Sequence, residues 1–167
     1  NRSDFRKKCA PGTLLRGSST RRSPFLLSNQ KFHKSLILII SDDEDSTIGV
    51  MLNHPAAKGL QMEVKETRTG KNIVLAAPIR VGGVIDGLES PLWLHCSPRL
   101  REAQIGRPIG GCWEHIWQCT YEEAADALAD DLVKLEEFLV VNGISIWPKG
   151  EIETEENSGN MLESSSF

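Results

Sequence analysis

Apolar residues along this chain arrive mostly in short, branched runs separated by turn-forming residues, a rhythm that predicts strands more often than helices. "SLILII" (Ser35 to Ile40) reads as a strand buried on both faces, because no polar residue alternates within it. "IGVML" (Ile48 to Leu52) reads as its hairpin partner across the acidic turn "SDDEDST", whose side chains can bond their own backbone. "PGTLLR" (Pro11 to Arg16) predicts a short first strand behind a Pro-Gly turn. "NHP" (Asn53 to Pro55) ends the hairpin, and residues 56–71 read as irregular with one helical turn. "NIVLAAPIRV" predicts a strand broken at Pro78 and closed by Gly82 and Gly83, and "PLWLHCS" another. "REAQIGRPIGG" reads as loop and "CWEHIWQC" as a strand carrying Trp113 and Trp117.

One helix stands out. Thr120 with Glu123 three residues on makes a capping box, which satisfies two orphan backbone N–H groups. Tyr121, Ala125, Leu128, Leu132 and Leu135 recur at steps of four and three, so they predict one apolar face and a helix ending near Phe138. "FLVVNGISIW" reads as one last buried strand whose Trp147 packs the domain, and "PKGEIETEEN" as its exit into an exposed acidic tail.

Composition narrows the class. A chain of 167 residues with 40% hydrophobic and 25% charged positions suits one globular domain, here 11–151, with a lead-in over 1–10 and a polar tail over 152–167. Its longest apolar run, Leu36 to Ile40, is far too short to span a bilayer as a helix. Four scattered cysteines (Cys9, Cys96, Cys112, Cys119) suggest reduced thiols. The net charge of -4 is unevenly spread: residues 1–34 hold nine Lys/Arg against Asp4 alone. Two oppositely charged ends suggest docking on a partner, through Arg2, Arg6, Lys7, Lys8, Arg21 and Arg22 at one end and Glu153, Glu155 and Glu156 at the other. The bland alternative for the basic end is a solvated, loosely held N-terminus. Asn1 in place of an initiator Met suits a processed N-terminus.

Candidate chemistry is sparse. Cys112-x-x-His115 with His95-Cys96 supplies ligand types that zinc accepts, but on a strand residues three apart point to opposite faces. No metal and no cofactor are therefore expected. The acidic turn lacks the Gly and closing Glu of a calcium loop. A Cys96 or Cys112 nucleophile would need a base and an oxyanion donor, which Gly82-Gly83 could offer; no nucleophile elbow, phosphate loop or dinucleotide fingerprint accompanies them. Asn53, His54, Gly82, Gly83, His95 and Trp147 fall at strand ends or turns, where ligand sites gather. The structural alternative gives Asn53 a turn to bond, the glycines positive φ, and Trp147 a place in the core. Negative net charge and the lack of a basic recognition helix argue against DNA; only the N-terminal arm could serve.

The order of these motifs resembles the YqgE/AlgH family. "PGTLLRGSS", "FHKSLILIISDDEDSTIGVMLNHP", "IRVGGVI", "LWLHCSP" and "NGISIWPKGEI" are similar to the family's successive signatures from about Pro11 to Glu151. Val84, Ile144 and Glu151 stand where the family usually has Pro, Tyr and Gln, and "TEENSGNMLESSSF" replaces its acidic helix and later Trp. The resemblance implies a mixed α/β fold, a curved and partly barrel-like mixed sheet with one main helix and a few minor ones. It implies no known reaction. Its eukaryotic relatives occur in photosynthetic lineages, often in plastids. The resulting expectation is a non-catalytic protein-binding subunit of an organellar complex, a plastid photosynthetic one. A Cys/His-dependent hydrolase or metal protein and a nucleic-acid-linked regulator stand as alternatives.

Overall fold

The computed structural model describes residues 10–17, 34–86, 90–110, 115–157 and 161–163; the side chains of 156, 157 and 161–163 are not described. Its first five-stranded sheet holds β1 (Leu14–Gly17), β2 (Leu36–Asp42), β3 (Ser46–Met51), β11 (Ser145–Pro148) and β12 (Met161–Glu163), in the order β11-β3-β2-β1-β12. The second holds β6 (Ile79–Val81), β7 (Leu92–His95), β8 (Arg107–Pro108), β9 (Trp117–Cys119) and β10 (Phe138–Asn142), in the order β6-β10-β7-β9-β8. A separate hairpin pairs β4 (Leu60–Lys65) with β5 (Asn72–Ala77). Among the described residues three α-helices accompany them: α1 (Pro98–Glu102), α2 (Tyr121–Ala129) and α3 (Glu151–Asn157). Among the described residues the strands pair antiparallel, except β6 with β10, which makes the second sheet mixed.

Strand alternation explains the layers. Neighbouring residues on one strand face opposite sides of a sheet, and here both sides are buried. Leu14, Leu38 and Val50 from the first sheet meet Leu94 and Val141 from the second in one apolar cluster, so the sheets pack face to face. Their neighbours in sequence go elsewhere. Leu15, Ile37 and Ile39 join Met51, Trp147 and Ile152 on the outer face of the first sheet, under α3. Trp93 and Val140 join Phe138, Leu100 and residues of α2 and the hairpin on the outer face of the second. "LILII" is thus buried on both faces, as its composition predicts: Ile37, Leu38 and Ile39 are all 0% exposed. The acidic turn is closed by its own side chain, with Asp43 Oδ1 accepting from the Asp45 and Ser46 amides at 3.1 and 2.9 Å.

Several sequence expectations need correction. Residues 56–71 are not irregular: Leu60, Met62 and Val64 alternate with polar residues at the strand period and line one face of β4. The helix from Thr120 ends at Ala129, nine residues before Phe138. Its capping box is present, but the buried face is Ala124, Ala127 and Leu128, and Tyr121 is 41% exposed. Leu135 belongs instead to a 3-10 turn (Leu135–Glu137) that leads into β10. "FLVVNGISIW" is two strands in two sheets, separated at Gly143. "REAQIGRPIGG" contains the last residues of α1 and all of β8. Of "CWEHIWQC", Trp117–Cys119 is the strand among the described residues; Cys112, Trp113 and Glu114 lie outside them. The stretch after Pro148 is not simply an exposed exit. Glu151–Asn157 is helical, Ile152 is 1% exposed against Trp147, and β12 pairs with β1.

Candidate functional site

The site grows from the point where the chain passes between the two sheets. β6 and β10 run parallel and end together, Val81 beside Asn142. From there the two strands' continuations cross: Ile85 and Ile144 exchange backbone hydrogen bonds at 3.2 and 2.9 Å. Gly82 ties the crossing to both sheets, since its amide donates to the Asn142 carbonyl at 2.7 Å and its carbonyl accepts from the Met51 amide at 2.8 Å. Three glycines make this approach possible. A Cβ on Gly82 would strike the Gly143 carbonyl, and one on Gly83 the Ile144 carbonyl. Gly143 itself has φ 79°, a left-handed conformation that costs glycine little. Gly82 and Gly83 do not have positive φ, contrary to expectation; they are glycine because backbone lies where a side chain would be.

An open cleft of about 290 Å³ lies at this junction. In open α/β sheets, ligands favour the carboxyl ends of parallel strands where connections diverge, and this cleft occupies such a place. Ile79 and Val81 of β6 form its floor with Asn142 of β10, Ala56 and Lys58 come from the segment before β4, and Val84, Ile85 and Asp86 follow the glycine pair. Val84 is 77% exposed, and Val81 and Ile85 are 37% and 39% exposed. Among the described residues, none offers a hydrogen bond or ion pair to the side chains of Lys58, Asp86 or Asn142. The cleft therefore joins three exposed aliphatic groups to a cation, a carboxylate and an amide. A more open hollow of about 540 Å³ shares Lys58 and runs along the base of the hairpin to Pro78. Among the described residues it lacks a comparable set of polar groups, with Lys58 and Gln61 its only polar side chains.

The sequence candidates scatter. Only Gly83 lines the cleft, with Gly82 behind it. Asn53 bonds a turn, as its structural alternative holds: its Oδ1 accepts from the Leu36 amide at 2.9 Å and its Nδ2 donates to the Lys34 carbonyl at 2.9 Å. His54 Nε2 lies 2.7 Å from Ser35 Oγ, but Ser35 is 0% exposed and closed to any substrate. Trp147 is 4% exposed and fills the core under α3. His95 is buried between Trp117 and Phe138, and its Nε2 donates to the Ile105 carbonyl at 2.9 Å. Its Nδ1 is enclosed without a partner, and burial holds its pKa below the ordinary imidazole range.

Among the described residues, burial works against both thiols as nucleophiles. Burial pushes the Cys119 thiol up to about 12, helped by the Glu123 carboxylate. Partial desolvation also raises Cys96, although Arg101 opposes it and the residue has exposed surface. His115 Nδ1 lies 3.3 Å from Arg101 Nη1, and Cys112 lies outside the described residues. No group of three or more metal-ligating side chains occurs among the described residues. Glu153 and Glu155 sit half-buried on α3. The side chain of Glu156 and all of Arg2, Arg6, Lys7, Lys8, Arg21 and Arg22 lie outside the described residues.

Sequence reasoning missed Lys58, Asp86 and Asn142. The available signal was the pair of glycine turns, "VGGVID" and "VVNGIS", each following an apolar strand. Nothing in either stretch says that they meet.

The fold has known counterparts. The AlgH protein from Pseudomonas aeruginosa aligns over 93% of this chain and 77% of its own, at 15% identity and a TM-score of 0.54. A protein from Corynebacterium diphtheriae aligns over 95% and 76%, at 17% identity and a TM-score of 0.57. At such identities the likeness shows a common fold, mixed α/β and mainly sheet with few helices. No curated protein sequence matches the chain. The AlgH-like family profile, DUF179, matches residues 21–165, nearly the whole length. This chain belongs to the AlgH-like family.

Proposed function

We propose that this chain is a non-catalytic protein-binding subunit of a larger assembly, and that the cleft at the sheet junction is its docking surface. One observation carries the reading: exposed Val81, Val84 and Ile85 stand at the same cleft as the side chains of Lys58, Asp86 and Asn142, which are unpaired among the described residues. Apolar groups rimmed by polar ones are the make-up of an interaction surface. A small-molecule site would enclose most of its ligand; this cleft leaves Val84 three-quarters exposed. Among the described residues the Cys/His groups support a reaction less well, because His95 is walled in, burial raises the Cys96 thiol, and no group of three or more metal-ligating side chains gathers. The basic N-terminal arm is a second contact in this proposal, and a plastid complex is the setting that the family resemblance suggests.

The test is a photo-crosslinking amino acid placed at Val84, with Val74 as control. Val74 is 71% exposed on the outer face of β5, away from the cleft. Native extract of the source, at moderate salt, should give one discrete adduct from position 84 and none from 74. Equal labelling from both positions, or no adduct at all, would sink the docking reading. Fractionation of intact organelles tests the plastid setting separately.

A further inference from the structure

We infer that the occupant of this cleft is a second copy of the same chain, docked about a two-fold axis. The inference rests on the cleft being a protein-docking surface and names what sits in it. A two-fold interface sets one patch against itself, so each residue must find its complement within the same patch. This cleft meets that condition. Lys58 and Asp86 carry opposite charges and come from two different segments of its wall. In a two-fold pair, Lys58 of each copy faces Asp86 of the other, giving two identical ion pairs. Asn142 offers both a donor and an acceptor, so an amide can pair with its own copy. Val81, Val84 and Ile85 are aliphatic and need no partner of another kind.

Other occupants fit less well. Nucleic acid would meet Asp86 and a net charge of -4. A patch of one sign would repel its own copy and call for a foreign partner, but among the described residues this patch holds one charge of each sign.

The contact is small, three aliphatic groups from each copy and two ion pairs, so the dimer is reversible, with a Kd of about 1–100 µM. Its ion pairs lie near water and weaken as salt rises.

The experiment is sedimentation equilibrium on the purified full chain across roughly that concentration range, at low and high salt. Wild type should form a dimer that salt weakens. K58D puts two acids in each patch and D86K puts two bases, so each variant alone should lose about tenfold or more in affinity. Mixed in equal amounts they should associate again, because every facing pair is then opposite in charge. The double variant K58D/D86K should also recover. Unchanged thermal midpoints would show that the variants fold, and V84E gives an independent disruption without a charge swap.

A wild type that stays monomeric throughout, or a dimer that K58D, D86K and V84E leave intact, overturns the inference. A monomer whose position 84 still crosslinks to a different protein overturns it and leaves the docking reading standing. A monomer with no crosslink removes both.

Discussion

Gly83 shows how much one absent atom can decide. Any Cβ there would overlap the Ile144 carbonyl, which is backbone and has no rotamer to change. Gly83→Ala should therefore cost about 2 kcal/mol or more, read as a fall in the urea midpoint at constant slope; an alanine variant as stable as wild type would contradict the crossing geometry. His95 carries a different kind of constraint. Burial lowers its folded pKa below the ordinary value of 6.5, so the unfolded chain binds the proton more readily. Its stabilising contribution is whole above pH 6.5 and is lost as the pH falls through the folded value. Urea titrations between pH 8 and pH 5 should show a steeper loss for wild type than for His95→Gln, and equal slopes would refute the assignment. Cysteine burial can be checked directly. In a chain with Cys9 and Cys112 changed to serine, an aromatic disulfide reagent at neutral pH should label Cys96 well before Cys119, whose thiol is pushed up to about 12.

At the scale of elements, two helices contrast. α2 was legible because its N-terminus is written locally: Thr120 Oγ1 accepts from the Glu123 amide at 3.1 Å, and Glu123 Oε2 accepts from the Thr120 amide at 2.8 Å. Thr120→Ala should cost about 1 kcal/mol. α3 was not legible, because its sequence is polar and acidic around a single Ile152, which reads as tail. The burial of that one side chain against Trp147 holds the helix to the first sheet. Ile152→Ala should cost about 3 kcal/mol, which exceeds the loss of the cap. Urea midpoints of the two variants compare them, and a mild effect at 152 with a large one at 120 would contradict Ile152 as the anchor of α3. β4 was overlooked for a related reason. Its apolar residues alternate with Gln61, Glu63 and Lys65, and the polar half masks the period in a mixed stretch.

The whole molecule is two sheets sharing one apolar interior, with α3 outside one and α2 and the hairpin outside the other. Because Leu38 and Val141 belong to the same shared cluster, neither sheet can open without exposing the other. The central strands should then unfold together. Native-state hydrogen exchange should give the amides of Ile39 and Val141 the same opening free energy within about 1 kcal/mol; a wider gap would mean that the sheets unfold separately. The same arrangement places the cleft at the sheet junction. Only a chain that leaves the second sheet at Asn142 and joins the first at Ser145 can bring Gly143 against Gly83.

The sequence alone determined the local pieces. The run at Leu36 to Ile40, the Asp43 turn, the Thr120 cap and the breaks at Pro78 and Gly82 are each fixed by neighbours a few residues apart. The ordered motifs also carried the family. Tertiary structure decided everything that depends on residues far apart in the chain. It sent Leu139–Val141 and Ile146–Trp147 to different sheets, gave Ile152 a core to enter, and brought Lys58, Asp86 and Asn142 to one cleft. The physical reason is one of range. Caps, turns and strand periods act within a turn or two of chain, whereas this cleft is made by three segments that meet only where two glycine turns cross.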